Sequence, residues 1–252
     1  MVQWSTRQPY MAMRRRAITR RSKEYVMHIA VIIPALDEEA AIASVVKAMP
    51  NDVVHEVIVV DNGSVDQTAA VAQAAGARVI HEPYRGYGAA CLAGALAARQ
   101  ADILVFLDGD GSDDPAEIPR LLHALLAGQA DLVLGSRTAG PVKQHGLTLQ
   151  QRVGNRVVTT LVRLLYGLCL TDIGPFRAIT APTFQALGMA HKTYGWPVEM
   201  VVKAAKRGYR IVEVPVSCHQ RIGQSKIAGT LKGSLLAGYH LLVTTLRYAW
   251  RD

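Results

Sequence analysis

The sequence predicts an α/β fold: a mostly parallel central sheet flanked by helices, with amphipathic helices toward the C-terminus. Three observations carry that expectation. Short apolar runs alternate with helical stretches through the first half, the runs are apolar on both faces, and half of the 252 residues are hydrophobic. Strands buried on both faces belong to sheets covered by helices on either side. The length allows one sizeable α/β domain or two small ones.

Taken in order, strands are expected at HIAVIIP (28–34), EVIVVD (56–61), RVIH (78–81), ILVFLD (103–108) and LVLG (132–135). Helices are expected near 38–49, 66–75, 87–99 and 116–127, where apolar residues recur with helical period. Beyond residue 136 the pattern changes. A loop, TAGPVKQHG, leads to a long helix from about 148 to 167, then to TDIGPFRAIT, a helix near 196–207 and the strand RIVEVPVSC. The polar, basic segment HQRIGQSKIAGTLKG follows. The chain reads as one domain over 28–229 whose second half completes the site begun by the first.

The flanks differ from this body. Residues 1–27 hold seven basic side chains against Glu24, a net of +6 out of a formal +8, so the body carries only +2. That excludes a basic nucleic-acid-binding surface on the body. The arm reads as a disordered leader, or as a segment touching anionic lipid, where each basic residue is worth about 1 kcal/mol. It lacks the apolar stretch and cleavage site of a secretory signal. The tail, 230–252, carries an apolar face with aromatic residues and the flanking cations Lys232 and Arg247, which suits an interfacial helix better than a spanning one. Cys91, Cys169 and Cys218 lie far apart without metal spacing and are expected as buried thiols in a reducing compartment.

Ligands of parallel sheets bind beyond the carboxyl ends of the strands. The chemistry-bearing residues fall there: Pro34 to Glu38, Asp61 to Ser64, and DGDGSDDP at 108–115. On an extended exit from a strand, Asp108 and Asp110 point to the same side. Two carboxylates so placed offer hard oxygen ligands to Mg²⁺ or Mn²⁺, which would take substrate phosphates as further ligands. Asp113 or Asp114 is expected to cap the following helix, with Pro115 at its first position. GYGAAC (86–91) imitates a dinucleotide fingerprint, but Cys91 stands where its third glycine should be.

VIIPALDEE, VIVVDNGSVDQT, FLDGDGSDDP, VLGSR, QRVGNR, TDIGPFRAI and EVPVSCHQRIGQSKI, in this order, resemble the inverting family-2 glycosyltransferases of the GT-A fold. Within them the chain is most similar to the polyprenyl-phosphate sugar transferases, the dolichol-phosphate mannosyltransferase group. The resemblance implies a metal-dependent enzyme that moves a hexose from a nucleotide sugar, of UDP-glucose or GDP-mannose type, to a polyprenyl phosphate. It would work at the cytoplasmic face of a membrane, peripherally, with a membrane-protein partner as a further expectation. The alternative is the same donor chemistry with a hydroxyl acceptor, using Asp113, Asp114 or Glu199 as base. A non-catalytic nucleotide-sugar-binding protein is the third reading.

Site roles follow from the same resemblance. Pro34, Leu36, Glu38, Asp61, Asp108 and Gly109 would contact the nucleotide. Asp110 would hold the metal, with Ser112 standing where the family often has glutamine. Asp37 and Asn62 depart from the family's asparagine and aspartate. Arg221 and Lys226 would act with Asp108 and Asp110 in catalysis by closing over the donor diphosphate, where a guanidinium gives bidentate contact. Arg137, Arg152 and Arg156 match positions that face the acceptor phosphate. Arg177 is either a further phosphate contact or a structural bridge.

Overall fold

A computed structural model of the chain describes residues 26–139, 147–223 and 243–248. Its elements run β1 (Ile29–Ala35), α1 (Ile42–Lys47), β2 (Glu56–Asp61), α2 (Thr68–Ala74), β3 (Arg78–His81), α3 (Tyr87–Ala97) and β4 (Ile103–Phe106). A 3₁₀ turn (Pro115–Glu117) then leads into α4 (Ile118–Leu126), β5 (Leu132–Ser136), α5 (Leu149–Tyr166), β6 (Arg177–Thr180), α6 (Ala181–Leu187), α7 (Trp196–Lys206) and β7 (Ile211–Pro215). Residues 243–248 are helical. The remainder of the tail, nearly all of the basic leader, and Lys226 lie outside the described residues.

The seven strands form one sheet in the order β3-β2-β1-β4-β6-β5-β7. All neighbours pair in parallel except β6, which runs antiparallel to both β4 and β5. Alternate residues of each strand feed two cores. Val31 and Ile33 of β1 face α1 and α4, while Ala30 and Ile32 face α3, α5 and α7. Because β1 sends its chain to one neighbour through α1 and β4 lies on its other side, a crevice opens between their carboxyl ends. α3 lies unusually close to the sheet there: a Cβ at Gly94 would collide with the side chain of Ile32.

Local chemistry fixes the element ends. Thr148 forms a capping box with Gln151 at the start of α5, and left-handed Gly167 ends that helix. Asp114 accepts the Ala116 amide at 3.0 Å with Pro115 next to it, so Asp114 is the cap. The structure differs from the sequence expectation in three places. The strand β6 and the helix α6 fall in a stretch read only as a connection. The helix expected at 38–49 begins at Ile42, because Glu38 and Glu39 are taken into a turn packed on the loop after β2. Cys169 is exposed, whereas Cys91 and Cys218 are buried as free thiols.

Candidate active site

The crevice is a cleft of about 520 Å³, lined by the turn after β1 (Pro34 to Glu38), Asn62, the start of α3 (Arg85 to Tyr87), Asp108 to Asp110, Thr193, Tyr194 and Arg221. Of the residues predicted from sequence to bind nucleotide or act in catalysis, Pro34, Leu36, Glu38, Asp108, Gly109, Asp110 and Arg221 therefore meet in one place.

The turn after β1 is held by the loop after β2. The backbone N–H of Asp37 donates to Ser64 Oγ (3.0 Å), and its carboxylate accepts the Val65 amide (2.8 Å). Asp37 has a positive φ of 52°, a conformation that aspartate tolerates better than most residues. Glu38 N–H donates to Thr68 Oγ1 (2.8 Å). The Glu38 side chain is thereby left to face Arg221, whose Nη2 reaches Oε1 at 2.8 Å.

Asp61 and Asn62 divide their work in a way the sequence did not disclose. Asp61 is buried and folds its own turn, accepting the Ser64 amide (3.0 Å) and lying 3.0 Å from His81 Nδ1. Asn62 is the neighbour that reaches the cleft wall. Its amide nitrogen donates to the carbonyls of Glu82 and Tyr84, both at 2.9 Å, and its oxygen accepts the Gly86 N–H at 2.7 Å. An aspartate could not donate those two bonds, which gives a physical reason for asparagine here.

After β4 the acidic run splits by role. Asp113 is buried, accepts the Asp108 N–H at 3.3 Å and does not line the cleft. Burial pushes its carboxyl up to about 7, with Asp110 and Asp172 adding to the rise against the pull of Arg137. Asp110 uses Oδ1 to hold the Ser112 amide (2.9 Å) and turns Oδ2 toward Arg221 Nη1 at 3.3 Å. Ser112 itself does not line the cleft. Asp108 has a buried Oδ1 without a well-formed hydrogen bond, and burial, then Asp110, then Asp113 raise its pKa well above the usual carboxylate value against the pull of Arg137 and the Tyr87 side chain.

Crowded, under-paired carboxylate oxygens at a strand end are the donor set a hard divalent cation takes, so the residues fit Mg²⁺ or Mn²⁺. Among the described residues no three Asp, Glu, His or Cys side chains are grouped to enclose an ion unaided. Water and donor phosphate would have to complete the coordination.

The remaining predicted cations lie elsewhere. Arg137 is paired with Asp172, Nε to Oδ2 at 2.7 Å and Nη2 to Oδ1 at 2.9 Å, and this pairing outweighs burial to keep the guanidinium firmly charged. Arg152 and Arg156 are exposed on α5, one turn apart and away from the cleft lining. Arg177 resolves as a structural bridge. It is fully buried, donates to the carbonyls of Pro197 (2.9 Å) and Gly174, and lies 5.7 Å from the Trp196 ring centre. Glu199, considered as a base, is also fully buried and accepts from four donors: the amides of Ala190 and His191, Lys203 Nζ and the Tyr248 hydroxyl.

Sequence reasoning noted Asn62 only as a departure from the family pattern and missed Tyr87, Thr193 and Tyr194 in the cleft. The glycines of GYGAAC were the available signal. A Cβ at Gly86 or Gly88 would strike the carbonyls of Lys192 or His191, so those glycines permit two backbones to touch beside the cleft.

Comparison with known proteins identifies the family. The model of the family described as "Glycosyl transferase family 2" matches residues 30–188. An uncharacterised glycosyltransferase of Mycobacterium tuberculosis is 40% identical over 210 residues, covering 83% of this chain and 94% of the relative. The undecaprenyl-phosphate mannosyltransferase of Micrococcus luteus is 34% identical over 221 residues, covering 82% and 90%. Among solved structures, glucosyl-3-phosphoglycerate synthase from Mycobacterium tuberculosis, in complex with Mn²⁺, UDP-glucose and phosphoglyceric acid, superposes with a TM-score of 0.71. That match has 27% identity and covers 88% of this chain and 80% of the other.

Proposed function

The chain belongs to glycosyl transferase family 2, and on that premise we propose that it transfers a hexose, with inversion, from a nucleotide sugar to a polyprenyl phosphate at a membrane surface. The observation that carries the donor half is the convergence of Asp108, Asp110, Glu38 and Arg221 on one cleft at the sheet's switch point. Asp108 and Asp110 would hold the divalent cation, which supplies positive charge to the leaving diphosphate. Arg221 contacts two carboxylates, Glu38 and Asp110, and its planar fork can exchange those partners for phosphate oxygens of similar geometry. Lys226, five residues on, is proposed to join it. The walls from Pro34, Leu36 and Gly109 would seat the nucleoside, with Asp61 holding the turn beside them and Ser112 close to the cation through Asp110.

The acceptor half rests on two supports. The first is the state of the three carboxylates that could deprotonate a hydroxyl: Asp113 holds a backbone amide, Asp114 caps a turn, and Glu199 is surrounded by donors. An ionised phosphate oxygen needs no base. It can attack the anomeric carbon directly as the diphosphate leaves, and positioning supplies much of the acceleration.

The second support is the outer face of α5. At 3.6 residues per turn, Leu149, Val153, Val157 and Leu164 fall in one stripe opposite the buried Val158 and Val162. These four side chains are 77%, 56%, 44% and 74% exposed. Arg152, Arg156 and Arg163 run along one edge of that stripe. An outward apolar stripe bordered by cations suits a lipid interface; Arg137, Arg152 and Arg156 are proposed to contact the acceptor phosphate on the family resemblance alone. No described helix is long and apolar enough to cross a membrane.

A hydroxyl acceptor is the second reading, favoured by the structural neighbour whose complex holds phosphoglyceric acid together with UDP-glucose. The experiment supplies Mn²⁺ or Mg²⁺ and a panel of radiolabelled nucleotide sugars, with and without undecaprenyl phosphate, beside an Asp110→Ala control. Label entering the organic phase only with lipid, and not in the variant, is the expected result. Donor hydrolysis or binding without transfer to lipid contradicts the acceptor assignment and moves the search to hydroxyls.

A further inference from the structure

Residues 188–195, between α6 and α7, form part of the cleft wall through Thr193 and Tyr194 but have no regular structure of their own. Their conformation is set from two sides. On one, Ala89 N–H of α3 donates to the Lys192 carbonyl at 2.9 Å, at the contact that Gly86 and Gly88 leave open. On the other, the Glu199 carboxylate accepts the Ala190 amide at 3.0 Å and the His191 amide at 2.8 Å.

Glu199 cannot hold that position alone, because a fully buried carboxylate needs compensating donors. Lys203 Nζ, one turn along α7, supplies one at 2.7 Å. The other is the Tyr248 hydroxyl at 2.6 Å, which arrives from the helical segment 243–248. That segment is seated firmly. Thr244 and Thr245 are buried, the Thr245 carbonyl accepts from Tyr166 Oη of α5 at 2.6 Å, and the Tyr248 carbonyl accepts from Lys206 at 3.0 Å. It also touches the far end of the wall, since a Cβ at Gly195 would run into Thr244 Oγ1.

We propose that residues 243–248 are a latch on the donor cleft, in which Tyr248 and Glu199 act as positioning residues that set the 190–194 wall. The outer side of the same segment presents Val243 and Leu246, each close to half exposed, so one short helix faces both the wall support and the surroundings. The latch itself does not depend on which acceptor is used. It relies on the donor reading only for the choice of substrate in the kinetic arm of its test.

The test uses the full chain with Tyr248→Phe, which keeps the ring beside Lys203 and removes only the hydroxyl. Hydrogen exchange of the amides in 188–195 is expected to speed up by about ten-fold, the scale of losing a hydrogen bond to a charged group, while exchange in β1, β2 and β4 stays unchanged. KM for the sugar nucleotide should rise several-fold with kcat within about two-fold. Glu199→Gln, which keeps one oxygen for the amides but turns a donor toward Lys203, should show the same pattern at least as strongly. Unchanged exchange in 188–195, or a rise spread evenly over the sheet, overturns the latch. If no nucleotide sugar is turned over by the unaltered chain, the donor reading fails, and the exchange measurement still decides the latch.

Discussion

Two sets of buried acids in this molecule are built on opposite terms. At the end of β4, Asp108, Asp110 and Asp113 crowd together, Asp108 Oδ1 has no well-formed hydrogen bond, and the facing cation, Arg221, is shared with Glu38. About the supporting half, Asp172 is matched by a bidentate Arg137, and Glu199 by Lys203, Tyr248 and two amides. The contrast shows in the titration of the groups. Burial and like charge raise Asp108, whereas at Glu199 the donors overcome burial and lower it. A site short of positive charge is ready for a cation, and through it for a diphosphate, whereas a saturated one holds the frame.

That contrast can be broken by mutation. The largest effect is expected from Asp110→Ala, which should lower sugar transfer by about 10³-fold by removing charge stabilisation of the leaving group, and chelation of divalent cations should do the same. Asp172→Ala comes next, and in stability rather than chemistry. It leaves a buried arginine unpaired and should cost about 3–5 kcal/mol in denaturant unfolding. Asp108→Asn should move the two observables apart: activity falls sharply, while cation-free stability rises by about 1 kcal/mol as repulsion and desolvation are relieved. A fall in stability there would deny that the cluster is under-compensated. Arg221→Lys keeps the charge but loses the fork, so kcat/KM should drop about ten-fold or more.

The smallest effect is a pH dependence at Glu199. Its folded pKa is held below the ordinary 4.5 by Lys203, the Tyr248 hydroxyl and the His191 amide. The stability it contributes is therefore present above that value and lost as pH falls through the folded pKa. The stability gap between the chain and Glu199→Gln should close in acid below about pH 4.5.

The parallel half was legible because its signals are local. β1, β2 and β4 are built on contiguous apolar runs, and the acidic turn follows its strand directly in sequence, so Asp108, Asp110 and the β1 turn could be brought together on paper. Arg221 came from the family resemblance, and the geometry adds its two carboxylate partners. What escaped depends on distant partners. β6 has four residues and little apolar length, and it exists as a strand because β4 and β5 flank it. The Glu199–Tyr248 bond joins residues 49 apart, and no spacing rule announces it. Arg137 carries the same charge in any reading of the sequence, and only the fold reveals that Asp172 has taken its fork.

The central claim is that the under-paired cluster is a combined cation and donor site. Its most direct test is the thermal unfolding of the unaltered chain and of Asp110→Asn, each with Mn²⁺, with UDP-glucose or GDP-mannose, and with both. A ligand at about 100 times its Kd should add about 2.7 kcal/mol. The unaltered chain is expected to be stabilised on that scale only when cation and one sugar nucleotide are present together, and Asp110→Asn is not. Equal stabilisation of both proteins, or full stabilisation by the nucleotide alone, would contradict it.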